Sequence, residues 1–380
     1  VKLPLEAWTG ALDGLAAARQ ARAGERWPRE LDDRIAGFIR ARLRFSRPDG
    51  GLATFTEPPS EPRKFWSRVH RAFPLAEVAR ILSWWFPNRE AEFVPPPLPA
   101  WCSAQLPLGV LRADWSTRGD LLAFDHRAPR TPTRIELYGA GVRWLGPSWG
   151  CPTKGDGAGA GDANRPPALS AWGSNSTADV AEWTFASGRA RTTRMLMMLR
   201  GRRLALLGDQ IDGTTSGEVW RTRLALPDEV LVDEPSPFGD WTLRTSRQGK
   251  SAQVIPIGEP PASAVDNARL SFHPESRELS LFRVAPGERT WMPWLVSWDH
   301  ARRRKPLTWA TLTVAEQGEP CPPHVAWAAR VTWRRGETYV VYRSLGPPAR
   351  RSFLGHSTTE RFVLAEFTAD GEVYPLVTLA

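Results

Sequence analysis

The chain has 380 residues, 42% of them hydrophobic and 24% charged, the composition of a globular protein with a sizeable core. No apolar run approaches the length of a membrane-spanning helix, and no heptad pattern points to a coiled coil. A net charge of +9 favours anionic partners, whether acidic polysaccharide, nucleic acid or anionic lipid, without choosing among them.

Helical periodicity opens the chain. Leu3, Leu5, Trp8, Leu12, Leu15 and Ala16 fall on one face up to Gly24. Pro28 suits a first helical turn, and Leu31, Ile35, Phe38, Ile39 and Leu43 form a second apolar stripe. Residues 48–62 read as a proline-broken loop. A third helix is expected from Pro74, with Leu75, Val78, Leu82 and Trp85 on one side. Prolines then crowd residues 87–107, which no helix interior tolerates. The division is therefore drawn as a helical region with a Pro-rich linker over 1–100 and a second unit over 101–380.

Beyond the linker, period-two alternation and turn residues mark short strands. They are expected at 108–114, 120–126, 134–138, 180–185, 191–200, 203–209 and 218–226, and further ones run on to 372–378. Without any strand–helix alternation, the pattern predicts an α+β protein: a short N-terminal helical region followed by a large antiparallel, multi-sheet β-sandwich. The segment 151–167, with glycines between Asp156 and Asp162, matches neither an EF-hand nor a P-loop and reads as a surface loop. Cys102, Cys151 and Cys321 lack zinc-ribbon spacing and allow one disulfide at most, which leaves the cell compartment open. No secretory apolar segment, nucleic-acid motif or serine-hydrolase elbow appears, and no metal or cofactor is expected.

Three groups of side chains carry possible chemistry. Asp125, His126 and Arg127 end a strand, as an acid–base pair or as a solvated boundary. Arg134, Glu136 and Tyr138 share one strand face, where a tyrosine flanked by arginine can act as a base beside its neutraliser, or line solvent. Trp291, Trp294 and Trp298 precede Arg302, Arg303 and Arg304, so that indoles stack on sugar rings and guanidinium groups pair with anions, or the tryptophans fill the core.

Three longer stretches resemble heparinase II/III-like polysaccharide lyases. They are Leu111-Arg-Ala-Asp-Trp115 running into Gly119–Phe124, the hairpin from Ile135 to Leu145, and the paired strands from Thr192 to Asp209. The resemblance implies a helical toroid joined to a multi-sheet sandwich, and an acidic polysaccharide as partner. It also implies a His-x-His-x-Asp stretch, whose places fall here at Arg127, Pro129 and Thr131; His126 is one residue out of register. In such lyases a tyrosine on the helical domain removes the proton α to a uronate carboxylate, yet no tyrosine precedes Tyr138 here. The resemblance therefore implies the fold and argues against the reaction. Tyr138, His126 and Arg134 stand as the catalytic candidates and the Trp–Arg group as the glycan contact. Two other readings compete: an active lyase using unfamiliar residues, and an assembly module whose tryptophans cover a protein interface.

Overall fold

The computed structural model describes residues 4–53, 61–86, 94–128, 131–155, 166–187, 190–236, 239–245, 249–258, 268–302, 307–333 and 336–380. Helix α1 spans Ala7–Ala21, α2 Arg29–Arg44, α3 Pro62–Ala72 and α4 Ala76–Trp85. In α2 the stripe buries Ile35, Ile39 and Leu43, while Glu30 and Asp32 in its first turn and Arg42 and Arg44 in its last complement the helix dipole. Helix α3 was not expected from the sequence. Pro62 opens it where a missing N–H costs nothing, and Phe65, Trp66, Val69 and Ala72 follow at helical spacing. Its brevity and the prolines before it hid that stripe.

Among the described residues the strands form sheets of ten, eight, five and four strands, and each recorded pairing is antiparallel. The fold class is thus α+β and mostly β, as the alternation predicted. The hairpin expected at Gly139 is present: strand Thr133–Gly139 turns through Ala140 and Gly141, both with positive φ, into strand Val142–Leu145. Two successive left-handed residues match the twist of the flanking strands.

The ten- and eight-stranded sheets enclose one core that includes Trp144, Trp149, Trp183, Trp294 and Trp298. The opposite face of the eight-stranded sheet meets the five-stranded sheet around Trp291, Leu295, Trp327 and Trp333. Strand Arg289–Ser297 lies between strands Leu204–Asp212 and Ser251–Ile255, so its residues feed both cores in turn. Covered on both sides, it shows no polar–apolar alternation, and the sequence reading passed over it. Fourteen of the nineteen tryptophans are buried and the other five half-buried, so the excess of indole builds the interior.

A shared apolar cluster joins helices to sheet: Leu5, Trp8, Phe45 and Leu52 pack with Leu108, Val110, Leu121 and Ala123. Two buried guanidinium groups reinforce the junction. Arg112, over the Trp115 ring at 4.7 Å, donates to the carbonyls of Arg44 at 3.2 Å and Ser46 at 2.7 Å, at the C-terminus of α2. Arg47, just past α2, donates to both carboxylate oxygens of Glu136 at 2.9 and 3.1 Å. Gly51 leaves room for that guanidinium: a Cβ there would lie 2.3 Å from it and force Arg47 to shift.

Candidate functional site

Strand Thr133–Gly139 presents Arg134, Glu136 and Tyr138 to one side, but at different places. Arg134 pairs with Asp125 at one end of strand Leu121–Asp125, and Tyr138 with Leu121 at the other. Four residues of extended chain put the two side chains roughly 13 Å apart. Arg134 borders a cleft of about 740 Å³ together with Glu6, Asp125, Arg127, Thr131 and Ser148. Tyr138 instead meets the helical region beside Arg47, Asp49 and Glu136. The expected grouping of Tyr138 with Arg134 is thereby corrected: a strand's length separates them.

Pro4, Leu106, Pro132 and Pro147 give the cleft much apolar wall, and its charges are matched. Arg127 grips Asp125 at 2.8 and 2.9 Å, and Arg134 meets the carboxylate of Glu6 from the turn before α1. Counted on the resemblance, Arg127 and Thr131 fall here; Pro129 lies outside the described residues.

His126 is absent from this cleft, and its expected role as an acid–base partner is corrected too. Its neighbours Asp125 and Arg127 face the cleft, so alternation turns His126 the other way, into the core against Phe185 at 4.5 Å. Its Nδ1 accepts from the Trp183 indole at 3.2 Å and meets the Thr133 hydroxyl. Arg194 donates to that same hydroxyl oxygen at 2.7 Å. Burial, with the Arg194 charge beside it, pushes the His126 pKa down to about 3. In an NMR titration its ring signals should therefore hold their neutral-form positions to about pH 4. The unfolded chain protonates this histidine near 6.5, so its contribution to stability is complete above that pH and is lost as pH falls toward about 3. A midpoint near 6.5 for the folded protein would show the ring to be solvated.

A phenol acts as a base only when it gives up its proton readily. Burial, aided by the carboxylates of Asp49 and Glu136, moves Tyr138 the opposite way, above its ordinary value, against the opposing effect of Arg47 and Arg112.

The expected glycan contact is corrected as well. Trp291, Trp294 and Trp298 are at most 2% exposed, and Trp298 donates to Asp120 at 3.0 Å inside the core. Arg302 lies over Trp333, bound to Glu337 and to the Arg202 carbonyl at 2.7 Å. It bolts one sheet to the next and has no free face for an anion. Arg303 and Arg304, like Asp156 and Asp162, lie outside the described residues. The three cysteines are separate thiols. Among the described residues no three His, Cys, Asp or Glu side chains converge.

Sequence reasoning missed Glu6, which reaches the cleft from 128 residues away, and Arg47 and Asp49 at the junction. It also missed the Arg194–Asp209 pair, although these residues sit opposite each other in a hairpin already expected from the sequence.

Helices docked on stacked antiparallel sheets in this order are the heparinase III fold. The chain is similar to heparan sulfate lyase HepC from Pedobacter heparinus, with a TM-score of 0.67 at 12% identity over 90% of this chain. A heparinase III gene product is similar to the same degree, with a TM-score of 0.67 at 11% identity over 89% of the chain. The chain spans 58% and 57% of the lengths of these two proteins. No family model matches the sequence, and no curated protein does.

Proposed function

We propose that this chain is a heparinase III-like module that recognises acidic polysaccharide without cleaving it by β-elimination. One observation carries the reading: the phenol, imidazole and guanidinium that elimination would need do not converge. Tyr138 sits at the helical junction, where burial raises its pKa, His126 faces the core, and Arg134 lines a cleft that contains neither. Recognition is supported by the net charge of +9 and by a cleft in which the half-exposed Arg134 can offer a carboxylate a planar, bidentate donor. The similar HepC is described as a heparan sulfate lyase, which makes uronate-containing chains the first class to test.

The test pairs two measurements on the same preparation. Salt-dependent retention on immobilised heparin and alginate is expected, with no rise in unsaturated-uronate absorbance on prolonged incubation with either polymer. Product formation, abolished by Tyr138→Phe, would establish a lyase instead. Absence of retention on every acidic polymer at low salt would remove the recognition reading.

A further inference from the structure

We infer that Glu6 is an internal competitor for Arg134, seated where a uronate carboxylate of the bound polysaccharide would lie. The inference rests on the recognition reading and assigns its ligand to one side chain. Glu6 stands at the N-cap of α1, where a carboxylate is favoured by the unsatisfied N–H groups and the helix dipole. Its side chain makes no capping hydrogen bond. The carboxylate instead crosses to the sheet and meets Arg134 at the rim of the 740 Å³ cleft.

The two ion pairs of that cleft differ in kind. Asp125 and Arg127 are neighbours in sequence; the carboxylate is mostly buried and takes both the Arg127 guanidinium and its backbone N–H at 3.1 Å. That pair is part of the wall. Arg134 and Glu6 come from distant segments, with side chains 48% and 37% exposed, and a pair so open to water is weak and exchangeable. Pro4 lines the same cleft and Leu5 is fully buried, so the turn stays anchored while the Glu6 side chain can swing aside. A uronate carboxylate offers the Arg134 guanidinium the same chemical group as Glu6, and a chain bearing one on successive sugars can exchange for it. Neutral sugars have nothing to exchange.

The experiment measures binding of an alginate oligosaccharide, which carries carboxylates alone, and of dextran sulfate, which carries sulfates alone, by calorimetry at low salt. Glu6→Gln is expected to bind the alginate oligosaccharide roughly threefold to tenfold more tightly than the unmodified protein, and Arg134→Gln to bind it more weakly. Asp13→Asn is the charge control: it removes one negative charge from α1 at the exposed Arg68 pair, outside the cleft, and should bind as the unmodified protein does. Equal gains from Glu6→Gln and Asp13→Asn would reduce the effect to net charge and overturn the inference. So would unchanged binding by Arg134→Gln, or a gain confined to dextran sulfate. In those cases recognition survives, whereas failure of every variant to bind either polymer removes recognition itself. None of these side chains is buried, and equal melting temperatures across the set establish that all are folded.

Discussion

Replacing Arg194 by methionine should lower the unfolding free energy by about 3–5 kcal/mol, the usual consequence of leaving one partner of a buried ion pair alone. Arg194 is fully buried and stacked 3.8 Å over Trp149. It donates to Asp209 at 2.7 and 2.8 Å, to Thr133 at 2.7 Å, and to the carbonyls of Trp149 at 3.0 Å and Gly150 at 2.6 Å. Arg194 and Asp209 belong to the eight-stranded sheet, while Thr133 and Trp149 belong to the ten-stranded one, so a single guanidinium ties both layers across their core. Methionine fills the space but leaves the Asp209 carboxylate with only the Thr222 hydroxyl, at 3.0 Å, from this set of partners. Guanidinium-induced unfolding measures the loss. The double variant Arg194→Met/Asp209→Leu, which removes both charges, should recover a large part of it. A single variant as stable as the unmodified protein would mean that water reaches the carboxylate and that the two layers are not joined here.

The second large effect is expected at the junction. Glu136 is 2% exposed and binds Arg47, itself 8% exposed, so Glu136→Leu strands a guanidinium beneath the helices with Asp49 as its remaining acidic neighbour. Burial opposes the Arg47 charge, yet Glu136 and Asp49 together hold its pKa above the ordinary arginine value. The loss should be about 3 kcal/mol, and it should be local. Hydrogen exchange in α1 and α2 is expected to accelerate, while the central strand Leu204–Asp212 keeps its protection. Equal acceleration in both places would show that the helices do not loosen independently of the sheets. Arg112, bound to the end of α2, should keep the helices attached in part, which separates this variant from complete detachment.

Much of the architecture could be read from short-range pattern. The α2 stripe, the strands on either side of the Ala140-Gly141 turn, and the paired strands Ala190–Leu199 and Leu204–Asp212 each declare themselves by local period and turn chemistry. Period fails where an element is covered on both faces. Strand Arg289–Ser297 is such a case, and its tryptophans looked like a binding surface because a buried strand and an aromatic cluster have the same composition. The site was harder to read for a different reason. Its candidates were chosen by proximity along the chain, whereas a strand sends adjacent residues to opposite faces and carries residues four apart well beyond contact.

Read alone, the chain specified its class, its antiparallel β character and the residue types present, because propensity and alternation are properties of neighbouring positions. Tertiary structure decided which side of the sheet His126 took, that Tyr138 would lie half-buried at the helical junction rather than at the cleft, and that Glu6 would meet Arg134. Those outcomes depend on which surfaces are removed from water when the layers close. That is settled by packing between segments distant in sequence, 57 residues for Trp183 on His126 and 128 for Glu6 on Arg134, of which no local pattern carries a record.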